Sequence, residues 1–566
     1  MTLTCMVVLV PLAVAVMVAA LPRSEPALAR ALALLGALVE LGLIVLLMSR
    51  FDPNGAALQQ PFVRPWLPAY GVEWSLGVDG SELPMLLLIG LVVPLALVIG
   101  TPPRPGEPPL LVGMSSLQAA WVAVVLARDL ITLAAAWELA AVATVILLGE
   151  RGDGKMGVPG RTAAARRYAA YVLPGAGALI ALVILVGVAH AHATGGVWSW
   201  NLDVLSQLTL PPATQYFGFA LVIVVVATAL PIWPLHAPLI SICVSGPTQV
   251  VAAVLGVGGA LALFVLMRVG LPMFPLAAGE WADPIAAVAV VGAIYAALVC
   301  WAERDPGRLL GHVALLHLSL AIVAAVSGSA GARVGLGPYL LAHGLALTVL
   351  TAVTHSLRRD GVGNLGELAG WAAVAPRALV LAMLAGLLLV GLPGSAGFIG
   401  ELGIVVGVLR EGELALLRPA TWGLLAAASV GLGGLGLLRS LWQAGRGTPR
   451  PGLASRSSEL DLRETCVCVV ALGLALVMGL VPGWMVRRSE PAQRRAVEQL
   501  VLGRCLAIEA SGQKSGQGRA RTHQDLGDEL GAVCLDPAAR VRQHYGLPGA
   551  GSVEHTDTEP PGEAAP

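Results

Sequence analysis

The feature that most constrains this chain is the recurrence of uncharged apolar runs long enough to cross a bilayer. A span needs ~20 predominantly apolar residues, and about fourteen such runs follow one another. They lie near 4–21, 27–48, 83–100, 109–126, 130–149, 167–190, 216–239, 247–267, 284–302, 309–328, 335–356, 376–408, 420–443 and 464–484. In lipid every backbone N–H and C=O must be satisfied within the structure, and a helix does this inside one segment. The expected fold class is all-α: a polytopic membrane protein of about 14 transmembrane helices. Composition agrees, with 12% charged residues where a soluble domain carries about 25%. The 68 glycines let helices approach closely. A net charge of zero gives no sign of a nucleic-acid partner.

The first run (MTLTCMVVLVPLAVAVMVAALP) lacks a basic lead-in and reads as a spanning helix rather than a cleaved signal. From about residue 486 the pattern changes. SGQKSGQGRARTHQDLGDEL and TDTEPPGEAAP are polar and charge-mixed, so a disordered tail is expected, with a short helix around PAQRRAVEQLVLGR. Basic residues gather in the odd-numbered connections: Arg151, Lys155, Arg161, Arg166 and Arg167, then Arg358 and Arg359, then Arg439, Arg446, Arg450, Arg456 and Arg463. The even-numbered ones hold isolated residues such as Arg128, Arg268 and Arg333. The positive-inside rule then puts the odd connections in the cytoplasm and the N-terminus outside.

Two runs are interrupted. The seventh reads ATALPIWPLHAPL, with Pro231, Pro234 and Pro238; the twelfth reads LLLVGLPGSAGFIGELGIVVG, with Pro393, Gly394, Gly397 and Gly400. Proline removes a donor and clashes one turn back, so both helices should break in mid-membrane. Freed backbone groups survive there only when buried in protein or lining a wet cavity. Paired broken helices point to a transporter built from inverted repeats.

Few ionisable residues lie at membrane depth. Glu138 is in the fifth run (AAAWELAAVATVILLG), and His236 follows the break in the seventh. His312 and His317 are in the tenth, His343 is in the eleventh, and Glu401 closes the break in the twelfth. A charge at the centre of a membrane helix costs roughly 2.5–3.5 kcal/mol on insertion scales, so such residues are paired, neutral or used. A lone histidine on an apolar face is most often a packing residue. Carboxylates and imidazoles together, beside two helix breaks, are the material of a proton relay. Glu138, His236, His317, His343 and Glu401 are the candidate relay residues. Glu40, in the second run, sits nearer the periphery and reads equally as lipid-tolerated or interface-paired.

Other motifs carry less. GLGGLG at 431–436 matches a dinucleotide fingerprint but lies inside the thirteenth run, where glycine-mediated helix packing explains it. No Walker A sequence is present. The seven cysteines are scattered; Cys466 and Cys468 should face opposite ways, and no spacing implies a metal site or disulfide framework. Pairing of Cys505 with Cys534 stays open. No cysteine cluster could hold iron–sulfur, so any redox chemistry must sit in a partner.

The WEL of the fifth run, the LPxxPLH of the seventh and the GLPGxxGFxGE of the twelfth resemble the antiporter-like membrane subunits of respiratory complex I and the Mrp antiporters. DPGRLLGHVALLHLS and LAHGLALTVL are similar to two further segments of that family, placing His317 and His343 at its histidines. WLPAYGVEWSLGVDGSELP (66–84) resembles the stretch typical of the subunit-M type. The resemblance runs from about residue 60 to 485 and implies inverted five-helix repeats. On that basis residues 1–108 hold three N-terminal helices, 109–268 the first repeat, 269–445 the second, 446–485 the fourteenth helix and 486–566 the tail. It also implies a lateral line of charged residues, onto which Glu138, His317, His343 and Glu401 carry over. The lysines of that line do not: Ala229 and Ala260 stand at their positions, and the chain's lysines are Lys155 and Lys514. His236 is kept, while Ser241 and Cys243 replace the family's Asp and second His.

The function implied is a membrane subunit of a complex I-like NADH-quinone oxidoreductase in a bacterial inner membrane, providing a proton path driven by electron transfer elsewhere. No cofactor is expected on this chain; NADH, FMN, iron–sulfur clusters and quinone belong to partner subunits. The partners implied are other membrane subunits and the lipid bilayer. Alternatives are a simpler proton or ion conduit in an Mrp-like or hydrogenase-linked complex, and a structural subunit that has lost pumping.

Overall fold

The computed structural model describes residues 2–512 apart from 56, 101–107, 150–157, 414–416 and 450–458. Lys155, Lys514, Cys534 and the tail beyond 512 therefore lie outside the described residues. Its seventeen principal helices are α1 (Leu3–Ala20), α2 (Pro26–Arg50), α3 (Leu83–Val98), α4 (Pro108–Leu126), α5 (Leu130–Gly149) and α6 (Val158–Ala193). Then come α7 (Pro212–Ala229), α8 (Ala237–Ser245), α9 (Thr248–Met273), α10 (Pro275–Ala302), α11 (Pro306–Val326) and α12 (Ala330–Arg359). The last are α13 (Pro376–Leu389), α14 (Ala396–Glu411), α15 (Pro419–Gly445), α16 (Leu462–Leu480) and α17 (Gly483–Gly512). Twelve of the described helices are long and apolar enough to cross a membrane; α3 and α13 are apolar but shorter. Starts are set by local chemistry. Pro306 opens α11 behind Asp305, whose carboxylate accepts from the backbone of Gly307 and Arg308. Asp461 and Glu464 form a capping box on α16.

Both expected breaks are present. α7 stops at Ala229, ahead of Pro231 and Pro234, and the chain resumes as α8 with His236 at its N-cap. α13 stops at Leu389; Gly391 and Gly394 then take positive φ of 81° and 86°, and α14 begins at Ala396. A side chain would be strained at those two glycines. α9 stays continuous but contains π-helical turns at Val254–Gly258 and Leu266–Gly270.

α11 is enclosed on every side, and α12 nearly so. The contact of α12 with α14 is almost backbone to backbone. A Cβ at Gly400 would lie 2.3 Å from the Tyr339 nitrogen, and one at Gly407 2.2 Å from the Ala332 nitrogen. Gly400→Ala is therefore expected to push the two helices apart and lower stability by about 1–3 kcal/mol. Thermal unfolding in detergent checks this; an unchanged midpoint would show that the helices can separate freely. The GLGGLG segment lies inside α15, where Gly433 meets the Ala297 backbone and Gly436 meets Trp301.

One end of the bundle carries a two-stranded antiparallel hairpin, β1 (Gln59–Leu67) and β2 (Val72–Val78). Below it lies a compact charge cluster. Arg128, from the turn between α4 and α5, is 3.0 Å from Glu82 and 3.5 Å from Asp79. Arg268 of α9 is 3.0 Å from Asp79 and 3.1 Å from Glu82. The Asp79 backbone N–H also donates to Glu82. α17 crosses the same end, burying Met485, Ser489, Ala492 and Val497. This corrects the sequence reading, in which a disordered tail began near 486 with only a short helix. Apolar residues on one face of α17 bury against the bundle, and that burial orders a segment whose overall composition looks unstructured.

Candidate functional site

Glu138 sits on the outer flank of α5, beside Leu139, Val142 and Ile146, which are 42%, 54% and 55% exposed. Its Oε1 is buried and has no hydrogen-bond partner. On the inner side of α5, a cavity of about 60 Å3 opens between Trp121, Trp137, Thr144, Tyr168, Thr228 and Ala229. A water needs roughly 10–15 Å3 of such space, so the cavity has room for several. α7 ends at its edge, and the last carbonyls of a helix lack intrahelical donors.

His236 belongs to a second group. Its ring centroid is 5.3 Å from Tyr295 of α10 and 5.8 Å from His312 of α11. His312 is oriented by a 2.8 Å contact from Nδ1 to the Arg308 carbonyl, one turn earlier. His236 Nδ1 is buried with no partner.

His317 and His343 form the most enclosed group, at 1% and 2% exposure. Their rings are 5.5 Å apart across α11 and α12. The Tyr339 hydroxyl lies 2.9 Å from His317 Nδ1 and donates to the His317 carbonyl at 3.2 Å. His317 Nε2 and both ring nitrogens of His343 have no hydrogen-bond partner. Glu401, in the first turns of α14, lies over Gly391, where a Cβ would meet its Oε2 at 2.7 Å. Its carboxyl is within electrostatic reach of Tyr339. At 1.5 Å rise per residue, His312 and His317 lie about 7.5 Å apart along α11.

The fold thus assembles Glu401, Tyr339, His343 and His317, and separately His236, Tyr295 and His312. Glu138 stands apart from both, and no described hydrogen bond joins it to either. Sequence reading missed the two tyrosines. Tyr339 precedes His343 by one helical turn, a spacing that puts both on one face and could have flagged it. Tyr295 comes from another helix and left no local signal. The peripheral placing of Glu40 is corrected: it is fully buried where α2 packs on α4, with the Gln118 side chain beside its carboxyl. Its neighbours on the same stripe, Ala33, Ala37 and Ile44, are buried as well. Among the described residues no three His, Cys, Asp or Glu side chains converge as a metal site would require.

The family model described as NADH:quinone oxidoreductase/Mrp antiporter, TM, matches residues 127–423. A protein of Synechococcus sp. (strain JA-3-3Ab) named NAD(P)H-quinone oxidoreductase chain 4 1 is 30% identical over 487 residues, 84% of this chain and 89% of that one. NADH-quinone oxidoreductase subunit M of Escherichia coli K12 is 27% identical over 441 residues, 75% and 82% of the two chains. A chain in the structure of respiratory complex I from Thermus thermophilus with bound NADH superposes with a TM-score of 0.75 at 24% identity, covering 88% of this chain and 99% of that one. A chain of an archaeal membrane-bound sulfane sulfur reductase reaches 0.71 at 16% identity, covering 85% and 76%.

Proposed function

Because the chain belongs to the NADH:quinone oxidoreductase/Mrp antiporter transmembrane family, we propose that it is the subunit-M-type membrane subunit of a complex I-like assembly, carrying protons across a bacterial inner membrane. Electron transfer then takes place on partner subunits that hold NADH, FMN, iron–sulfur clusters and quinone. The observation that carries this reading is the enclosed series His317, His343 and Tyr339 beside Glu401. An imidazole accepts a proton on one nitrogen and releases it from the other, and a phenol hydroxyl can donate and accept in turn.

In this reading Glu138 and Glu401 are the terminal acids, with His236, His317 and His343 between them. Residues 109–268 and 269–445 act as paired repeats around the two breaks. The half-exposed flank of α5 that bears Glu138 faces a neighbouring subunit. The two alanines that replace the family's lysines both line cavities, Ala229 the one beside α5 and Ala260 one of about 40 Å3 between α3, α9 and α12. Water in those spaces takes the place of the ammonium groups as the mobile carrier. The connections rich in arginine face the cytoplasm and the N-terminus lies outside.

The test uses the assembled complex in proteoliposomes with Glu138→Gln and Glu401→Gln. Each is expected to lower the protons moved per electron while electron transfer itself continues. An unchanged proton-to-electron ratio in both variants sinks the relay.

A further inference from the structure

A seam runs between α9 and α12, and most of its polar residues take no part in the series above. The two helices are antiparallel along it. Thr248 Oγ1 meets His355 Nδ1 at 2.8 Å at one end. Toward the middle, a Cβ on Gly344 would lie 2.8 Å from the Gly256 carbonyl oxygen. Between these points Thr351 and Thr348 follow His355 down α12 at four- and three-residue steps, which keeps them on one stripe. Both are buried, and their hydroxyls donate to the Leu347 and Gly344 carbonyls at 2.7 and 2.8 Å. Opposite lies the π turn Val254–Gly258, where the regular backbone ladder is interrupted. The stripe ends at Gly344; His343 precedes it in the chain and faces His317 of α11.

At its outer end the seam meets charge. His355 Nε2 is 4.0 Å from Glu464 Oε1 of α16, and Glu464 is wholly buried. The part-exposed Arg359 guanidinium reaches the same oxygen at 3.1 Å. The other charged groups near the pair are Asp461, whose backbone N–H donates to Glu464, with Arg463 in the first turn of α16 and Glu459 on the approach to it. Arg358 and Asp305 lie close by, around Cys243.

We propose that Glu464, His355 and Thr248 form a proton-loading site at the arginine-rich end of this seam, supplying His343 by way of Thr351 and Thr348. The inference rests on the relay reading and adds residues to it. A proton taken up by the Glu464 carboxylate passes to Nε2 of His355. The ring then gives up its Nδ1 proton to a threonine hydroxyl, which releases its own to the next acceptor. Each group gains one proton and loses one, so no charge is left in the seam. Small side-chain movements or single bridging waters close the 4.0 Å gap and the one-turn steps.

The test again uses the assembled complex in proteoliposomes, with Glu464→Gln, His355→Gln and the double variant Thr348→Val with Thr351→Val. The double variant keeps side-chain volume, suits an apolar seam and is expected to assemble even where the two glutamine variants do not. The expected result is a loss of about fivefold or more in proton translocation per complex. The deficit should grow as pH rises from about 6 to 8, where proton supply limits loading. Thr348→Ser with Thr351→Ser restores the rate. A structural clamp would lower the amount of complex but leave the pH profile of each assembled copy unchanged. Wild-type translocation by the assembled valine double variant at every pH overturns the loading site. His343→Gln is the control: if it too leaves translocation intact, the relay reading itself has failed.

Discussion

Arg128→Leu is expected to destabilise the folded chain by roughly 3–5 kcal/mol, the usual cost of leaving a buried ion network short of one partner. Arg128 is 3% exposed and shares Asp79 and Glu82 with Arg268, so its loss leaves the two acids with one guanidinium in place of two. These groups come from the start of α3, the α4–α5 turn and the end of α9, so the failure should spread across the N-terminal helices. The measurement is the thermal midpoint in detergent together with the amount of assembled complex. Adding Glu82→Leu should recover part of the loss, because Arg268 then has Asp79 alone as its partner and no second buried carboxyl is left unsatisfied. A single variant as stable as the parent would mean that water reaches the cluster freely.

The same cluster predicts a pH dependence. Burial pushes the Glu82 carboxyl up to about 8, with the Asp79 charge adding to it against the pull of Arg128 and Arg268. Burial opposes ionisation of Asp79 too, but there the two guanidiniums prevail and hold the carboxyl below its ordinary range. Glu82 binds its proton more tightly folded than unfolded, so its contribution is complete below pH ~4.5 and fades as pH climbs to about 8. Asp79 has the opposite sign, and its contribution fades only in strong acid. The thermal midpoint should therefore fall between about pH 5 and 8, and Glu82→Gln should flatten that slope.

His343→Gln carries the largest expected functional effect. Glutamine keeps hydrogen-bonding capacity and similar bulk, so the α11–α12 packing should hold. It cannot take a proton on one atom and release it from another. Proton translocation per complex should drop at least about tenfold, the equivalent of ~1.4 kcal/mol on the limiting barrier. Tyr339→Phe should cost less, because it removes the hydroxyl beside His317 Nδ1 but leaves the two imidazoles 5.5 Å apart. Proton-pumping assays on assembled complex decide the matter, and full pumping by His343→Gln sinks the enclosed histidine pair as carrier.

Much of this architecture is legible along the chain because it follows from local rules. Apolar length gives the spanning helices, and Pro231, Pro234, Gly391 and Gly394 stop two of them by backbone geometry alone. Glu138 and the histidines stand out as ionisable residues in apolar runs. Tyr295, by contrast, acquires meaning only when α10 brings it to within 5.3 Å of His236. Glu40 shows the reverse case: a position near the end of the chain suggested the periphery, yet α4 closes over it.

By itself, then, the sequence determined that this protein is a helical membrane bundle, where two of its helices break, and which side chains could carry a proton. Hydrophobic length, proline and glycine act within a few residues, so they can be read without a fold. Which of those side chains meet was decided by tertiary structure alone. Asp79 reaches Arg268 and Thr248 reaches His355 across helix contacts separated by more than a hundred residues. No local preference encodes such a meeting. It depends on glycine faces such as Gly335, Gly400 and Gly407 that fix how closely, and in what register, the helices pack.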